Sequence, residues 1–335
     1  IDILIGNYYK SKIVELVNEY KINHKKINTF VDMKSVGFED MKINKFLNKT
    51  RAFVKIQDGC NNFCSYCIIP YMRGSIRSKD IDVAYEEIKS LVNNGYKEIV
   101  LTGIHTGSYG TGKDYDLVDL IKRISVLDNL KRIRISSIEI TELNDKFINE
   151  LKINDKICNH LHIPIQSGSD KILKLMNRKY NIEEFKNIVN KIRNVRPDIN
   201  LTTDLIVGFP EETDEDFNET YNNLIDIGFS KIHTFPYSKR DNTPAALMKQ
   251  VDDNIKKIRV HKILELSDRL ETKYYNKFIN KELDVLVEEV KDSVSIGHTS
   301  NYMKIIINEE LEHNKFYKVY IYNIENNNIY GEIRY

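Results

Sequence analysis

Along the middle of the chain, short apolar runs alternate with stretches whose apolar residues recur every three or four positions. Six runs read as strands: Phe53–Ile56, Glu98–Thr102, Arg132–Ser136, His160–Ile165, Asn200–Gly208 and Lys231–Tyr237. Between them lie "VAYEEIKSLVNNG", "LVDLIKRISVL", "IEEFKNIVNKIRNV" and "DEDFNETYNNLIDIG", each with an apolar helical face. Two of these end in a glycine, Gly95 and Gly228, a common helix stop. Strand and helix in strict alternation predict right-handed βαβ units on a parallel sheet. Six units are too few for a closed eight-fold barrel. The expected fold class is therefore α/β, an open partial (βα)6 TIM-like barrel in preference to a doubly wound sheet.

The two ends follow other patterns. Ile1–Tyr20 reads as one strand, "DILIG", and one helix, the remnant of a preceding α/β unit. "KINHKKINTF" and "MKINKFLNKT" are rich in Lys and Asn and read as a linker with some strand. After a long helical stretch from Asp252 to about Ile279 come short alternating runs: "LDVLVEEV", "MKIIIN", "KVYIYNI" and "IYGEIRY". Strands of this length and spacing predict a small all-β barrel. The expected division is 1–45, 46–275 and 276–335. Because "IDILIGN" makes a poor beginning for a domain, truncation at Ile1 is the expectation.

Composition narrows the setting only a little. Four cysteines in 335 residues do not make a disulfide scaffold, so the expected location is the cytoplasm, with thiols free for metal. No apolar run reaches the length of a membrane span. The net charge of +1 hides an asymmetry. Residues 1–80 hold 14 basic against 8 acidic residues, whereas residues 276–335 hold 7 against 10. Any basic groove for a polyanion must therefore be local.

Chemistry concentrates in "DGCNNFCSYCIIPYMRGSIRSKD". Cys60, Cys64 and Cys67 are spaced C-x3-C-x2-C at the C-terminal end of the first strand, where βα folds build their sites. A structural zinc site wants four ligands, and the fourth cysteine, Cys158, belongs to the start of the fourth strand, toward the opposite end of the barrel. Three thiolates on a [4Fe–4S] cluster leave one iron open, a catalytic design.

This loop, with Tyr66 between its last two cysteines, resembles that of the radical S-adenosylmethionine (SAM) superfamily. "DGCNNFCSYCIIPYMRGSIRS", "HLHIPIQSGSD" and "DLIVGFPEET" are similar to its methylthiotransferase branch, most of all to the tRNA enzymes that act on N6-threonylcarbamoyladenosine. The resemblance covers nearly the whole chain, with the last 60 or so residues resembling a TRAM barrel. It implies a [4Fe–4S] cluster on Cys60, Cys64 and Cys67, S-adenosylmethionine on its open iron, and transfer of a methylthio group to C2 of the modified adenosine. It also implies a tRNA substrate, an electron donor such as flavodoxin or ferredoxin, and a monomer without membrane attachment. Family members carry three further cysteines in an N-terminal domain for a second [4Fe–4S] cluster. Residues 1–50 contain none, so that cluster is expected only in the full-length protein.

Cofactor contacts implied by the resemblance fall on Tyr66, Gly103, Ser136, Gln166, Asp204 and Gly208. A plain turn is the alternative for Gly103, helix capping for Ser136, and a buried hydrogen-bonding role for Gln166. His105, His160, His162 and His233 read as polar core residues. Arg73 and Arg77 are candidates for RNA phosphate or the cofactor's carboxylate, and Tyr302 and Lys304 for RNA contact on the small barrel. Removing that barrel after about Phe278 is expected to weaken tRNA binding and spare cofactor cleavage. Two other readings remain: a related radical enzyme (an isopentenyladenosine methylthiotransferase or a methylase), and a non-enzymatic RNA-binding module whose three thiols hold zinc with Cys158.

Overall fold

The computed structural model describes residues 1–33, 36–46 and 49–334. A leading unit pairs β1 (Ile3–Leu4) in parallel with β2 (Ile27–Asn28), with α1 (Ile13–Asn23) between them. Leu47 and Asn48 of the expected linker and Tyr335 of the last expected strand lie outside the described residues.

The main unit begins with β3 (Arg51–Lys55) and a two-residue ladder, β4 (Gln57–Asp58) with β5 (Arg77–Ser78), which brackets the cysteine loop and α2 (Ile69–Arg73). Then follow α3 (Ile81–Asn93), β6 (Glu98–Thr102), α4 (Leu117–Ser125), β7 (Arg132–Ile135), α5 (Asp145–Ile153) and β8 (His160–His162). Next come α6 (Asp170–Leu175), α7 (Ile182–Val195), β9 (Asn200–Val207), α8 (Asp214–Ile227), β10 (Lys231–Pro236) and α9 (Asp253–Tyr275). The helix starts are written in the sequence: Asp80, Asp116, Asn144, Asn181 and Thr213 each accept hydrogen bonds from first-turn N–H groups.

Strands β3, β6 and β7 form one parallel sheet, and β8, β9 and β10 another. A single bridge, Ile133 with Ile157, joins them, so the six strands stand side by side in chain order. This sequential winding is the open partial barrel expected from the pattern. Its core is made of strand residues such as Ile99, Leu101, Ile133, Leu161 and Leu205 against helix residues such as Ile88, Leu120, Phe147 and Phe185, all buried. Each such side chain contributes roughly 1.5–3 kcal/mol on leaving water.

The last residues close into a five-stranded barrel of β11 (Glu282–Lys291), β12 (Val294–Thr299), β13 (Lys304–Ile307), β14 (Phe316–Glu325) and β15 (Asn328–Glu332). Only β12 had no counterpart in the sequence reading, because "VSIGHT" carries Ser, Gly and His in place of an apolar run. Gly297 is there by necessity, since a Cβ would fall 2.3 Å from the Leu286 carbonyl oxygen.

The small barrel is bonded to the base of the large one by two arginines of β7. Arg134 donates through Nε to buried Glu98 at 2.6 Å and through its Nη atoms to the carbonyls of Ser300 and Thr299. Arg132 donates to the carbonyls of His298 at 2.9 Å and Asp284 at 2.7 Å. Asn159 and Asn200 add hydrogen bonds to Ser300 and Asn301. Tyr302 closes the seam: its ring stacks between His160 and His298, each 5.1 Å away, with the Arg134 guanidinium 4.6 Å from its centroid. This bears on the expected deletion after Phe278: removing the small barrel would strip Arg132 and Arg134 of the carbonyls that take their remaining donors.

Arg134→Met is accordingly expected to destabilise the protein by about 3–5 kcal/mol, by leaving Glu98 charged and half-paired in the interior. Adding Glu98→Gln should recover part of the loss. Urea unfolding measures both; a single-variant loss below about 1 kcal/mol, the worth of an exposed pair, would rule the seam out as a structural support.

Candidate active site

The cysteine loop has no regular structure of its own and is held from outside. Cys60 N–H bonds the Gly74 carbonyl at 3.1 Å, Ser65 bonds the carbonyls of Met176 and Leu175, and Asn177 Nδ2 bonds the Phe63 carbonyl at 2.9 Å. Gly59, at φ +77, permits the tight entry: a Cβ would fall 2.0 Å from the Ser75 carbonyl oxygen. Cys64 is buried, and Cys60 and Cys67 are half-buried. Among the described residues, no three His, Cys, Asp or Glu side chains are drawn tightly enough around one point to hold a single metal ion. A cubane spreads three thiolates over three irons, which suits a more open set. Cys158 is fully buried at the other end of the barrel, where its neighbours are Arg134, Glu98 and Ser300. Burial pushes its thiol up to about 11. The structure therefore separates Cys158 from the other three.

Donors surround the loop sulfurs. Asn62 N–H lies 3.4 Å from Cys60 Sγ. Arg178 Nη1 lies 3.4 Å from Cys64 Sγ, and the same guanidinium pairs with Glu139. His105 Nδ1 lies 4.0 Å from Cys60 Sγ, and its Nε2 is 2.8 Å from Glu142 Oε1, off the line of a straight hydrogen bond. Burial opposes a charged His105 ring, but Cys60 and Glu142 outweigh it and push its pKa up to about 10. Hydrogen-bond donors converging on thiolates are what a metal–sulfur centre requires of its surroundings.

Beside the loop opens a cavity of about 300 Å³, within the range of small-molecule sites. Tyr66, Gln166 and Asp204 line it together with Ile206, Phe235, Tyr237 and Arg240. Tyr66 packs edge-on to Phe209, with ring centroids 6.3 Å apart. Gln166 sits at φ +62, a left-handed conformation costly for a residue with a Cβ. Its N–H to the Asp204 carbonyl and its carbonyl to Ile206 N–H, both 2.9 Å, hold it there. Asp204 faces His162 Nε2 at 3.2 Å. Three residues expected to meet a cofactor are thus brought to one wall.

The others stand elsewhere. Gly103 makes room for Gln57, whose Oε1 would lie 2.8 Å from a Cβ and which accepts the His105 N–H. Ser136 pairs with Thr106 and lines a second cavity, of about 360 Å³, between the histidines of the barrel interior and Tyr302. Gly208, at φ +65, gives its N–H to Glu212 at 2.8 Å, and a Cβ there would fall 2.3 Å from Lys256 Cγ. Arg73 and Arg77 converge with Lys55 on Asp58, at 3.6, 3.7 and 2.6 Å. Although burial opposes it, these cations hold the Asp58 carboxyl below its usual range. Tyr302 is committed to the seam between the barrels, and Lys304 is exposed beside a cleft shared with Arg51 and Glu288. Sequence reasoning missed Gln57 and Arg178 and took His105 for a core residue. The one signal for Arg178 was an arginine between the buried Met176 and Tyr180.

A profile described as the radical SAM superfamily matches residues 54–224, about half of the chain. A Bacillus subtilis protein named threonylcarbamoyladenosine tRNA methylthiotransferase MtaB is 45% identical over 315 residues, spanning 91% of this chain and 70% of the relative. A Thermotoga maritima protein of the same name is 39% identical over 307 residues, with the same two shares. A Clostridium tetani protein named tRNA-2-methylthio-N(6)-dimethylallyladenosine synthase is 40% identical over 293 residues, 86% of this chain and 64% of the relative. Among solved structures, the radical S-adenosylmethionine methyltransferase TsrM of Kitasatospora setae aligns with TM-score 0.50 at 15% identity, over 58% of this chain and 38% of that one. That likeness concerns the fold alone.

The geometry around Gly208 yields one direct test. Gly208→Ala is expected to cost about 1–2 kcal/mol for its left-handed backbone, and more for the contact with Lys256. Adding Lys256→Ala should relieve only the second part. Urea unfolding of the three proteins separates them, and an unchanged Gly208→Ala midpoint would refute the constraint.

Proposed function

The chain belongs to the radical SAM superfamily and, within it, to the tRNA methylthiotransferases, and on that premise we propose that Cys60, Cys64 and Cys67 hold a [4Fe–4S] cluster whose open iron takes S-adenosylmethionine. The observation that carries this reading is the position of Tyr66. It lies between two of the cysteines and forms a wall of the 300 Å³ cavity, so cluster loop and cavity adjoin. The bound cluster and cofactor would supply a one-electron cleavage that makes a carbon-centred oxidant. The chain's own residues provide the surroundings. Asp204 and Gln166 offer a carboxylate and an amide to a nucleoside's hydroxyl and ring groups, and Phe235 and Tyr237 offer flat apolar faces. Arg178, fixed by Glu139 beside Cys64, is a charged partner for the carboxylate of the cofactor's amino-acid end. The narrow, water-sized space lined by Cys64, Glu139 and Arg178 limits solvent there.

The substrate in this reading is N6-threonylcarbamoyladenosine in tRNA, methylthiolated at C2. It is favoured over the dimethylallyl analogue by the higher identity and coverage of the Bacillus subtilis relative that carries the former name. Phosphate contacts belong to Arg73 and Lys55, where three cations share the single carboxylate of Asp58. They do not belong to Tyr302, whose ring is occupied. The reductant is a small flavodoxin- or ferredoxin-like donor, and the protein acts as a cytoplasmic monomer. No helix among the described residues is long and apolar enough to cross a membrane. A second [4Fe–4S] cluster as sulfur source would need ligands other than the cysteines of this chain, because Cys158 is the only one of them outside the loop.

Replacing any one of Cys60, Cys64 or Cys67 by Ala should abolish formation of 5′-deoxyadenosine under a strong reductant, whereas Cys158→Ala should retain both cluster and cleavage. Iron content and product chromatography read this out. Retention of cleavage in any of the three loop variants, or loss of the cluster in Cys158→Ala alone, would overturn the assignment.

A further inference from the structure

Two of the three loop thiols face a side-chain nitrogen within 4.0 Å, and the third faces a backbone N–H. Cys64 has Arg178, Cys60 has His105, and Cys67 has the backbone N–H of Ile69. Arg178 is accounted for by its pairing with Glu139 and its place beside the cofactor. His105 has no such role, yet it is the more elaborately held. Its N–H is fixed on Gln57 Oε1 at 2.8 Å, and its ring is nearly buried with Glu142 at Nε2. Glu142 itself reaches this position only because residue 107 is glycine: a Cβ there would fall 2.0 Å from Glu142 Oε2. With Nε2 turned to the carboxylate, Nδ1 is the nitrogen left facing sulfur.

A three-thiolate [4Fe–4S] centre carries net negative charge, which grows on reduction, and hydrogen bonds to its sulfurs help to set its potential. We propose that His105, oriented by Glu142 in the space left by Gly107, is a positioning residue that hydrogen-bonds the Cys60 thiolate and raises the reduction potential of the cluster. The proposal rests on the reading of Cys60, Cys64 and Cys67 as cluster ligands. It assigns His105 no contact with substrate. A hydrogen-bond donor beside Cys60 stabilises the reduced state, so losing it moves the potential in the negative direction.

The test is an EPR-monitored redox titration of the anaerobically reconstituted protein without S-adenosylmethionine, comparing wild type, His105→Leu and His105→Asn. The midpoint of His105→Leu should be more negative than that of wild type. His105→Asn, whose shorter side chain draws the N–H donor back from Cys60, should fall between them. The reduced cluster of His105→Leu should also show a weaker coupling to an exchangeable proton. Equal midpoints for wild type and His105→Leu would overturn the proposal. If His105→Leu assembles no cluster, His105→Asn decides: a negative shift supports the proposal and an unchanged midpoint overturns it. A wild-type protein without cluster iron would overturn the cluster reading, and this proposal with it, before any titration.

Discussion

The joint between the two barrels turns on one buried carboxylate shared by two arginines. Glu98 opens the second barrel strand with no exposed surface, and Arg134 and Arg132 meet it at 2.6 and 3.5 Å. An interior charge is tolerable only when paired and fully hydrogen-bonded. Two guanidinium groups have more donors than one carboxylate can accept, and the surplus is taken up by backbone carbonyls of the small barrel. The base of the α/β unit is thus completed by the C-terminal barrel. With its strands anchored from below, the barrel can spend its opposite end on loops that have little structure of their own.

That opposite end shows the matching economy of charge. Asp58 gathers Lys55, Arg73 and Arg77, which leaves a local excess of positive charge next to the cysteine loop although the chain as a whole is nearly neutral. Arg178 places one more cation toward the thiols, and His105 a ring nitrogen. The two ends of one barrel therefore use arginine differently: below as a hydrogen-bonding strut, above as part of an electrostatic field around sulfur.

The strands of the partial barrel were legible because fully buried parallel strands announce themselves as apolar runs, as "EIVLT" and "NLTTDLIV" do. The strand Val294–Thr299 was not, because its inward positions are Ser295, Gly297 and Thr299 and its pattern lacks an apolar face. In the site, cysteine spacing and Tyr66, Gln166 and Asp204 could be read from local motifs. Gln57, Arg178 and the His105–Glu142 pair could not, since their partners lie 37 to 48 residues away. Tyr302, expected to contact RNA, has a further role that only the fold shows: its partly exposed ring packs on His160 across the seam.

The strand order of the small barrel bears on how the protein is made. In the order β11-β12-β13-β15-β14, the last of the five strands to be synthesised lies between two earlier ones, and it supplies the parallel pairing that closes the ring. The barrel cannot shut until residues 328–332 have emerged. Until then, the carbonyls that quench Arg132 and Arg134 are not fixed in place, although those arginines were synthesised some 190 residues earlier. The base of the α/β unit thus stays incomplete until residues 328–332 have been made. A nascent chain shorter than that would carry the cysteine loop on an unfinished foundation, the kind of incompletely packed intermediate that chaperones exist to handle.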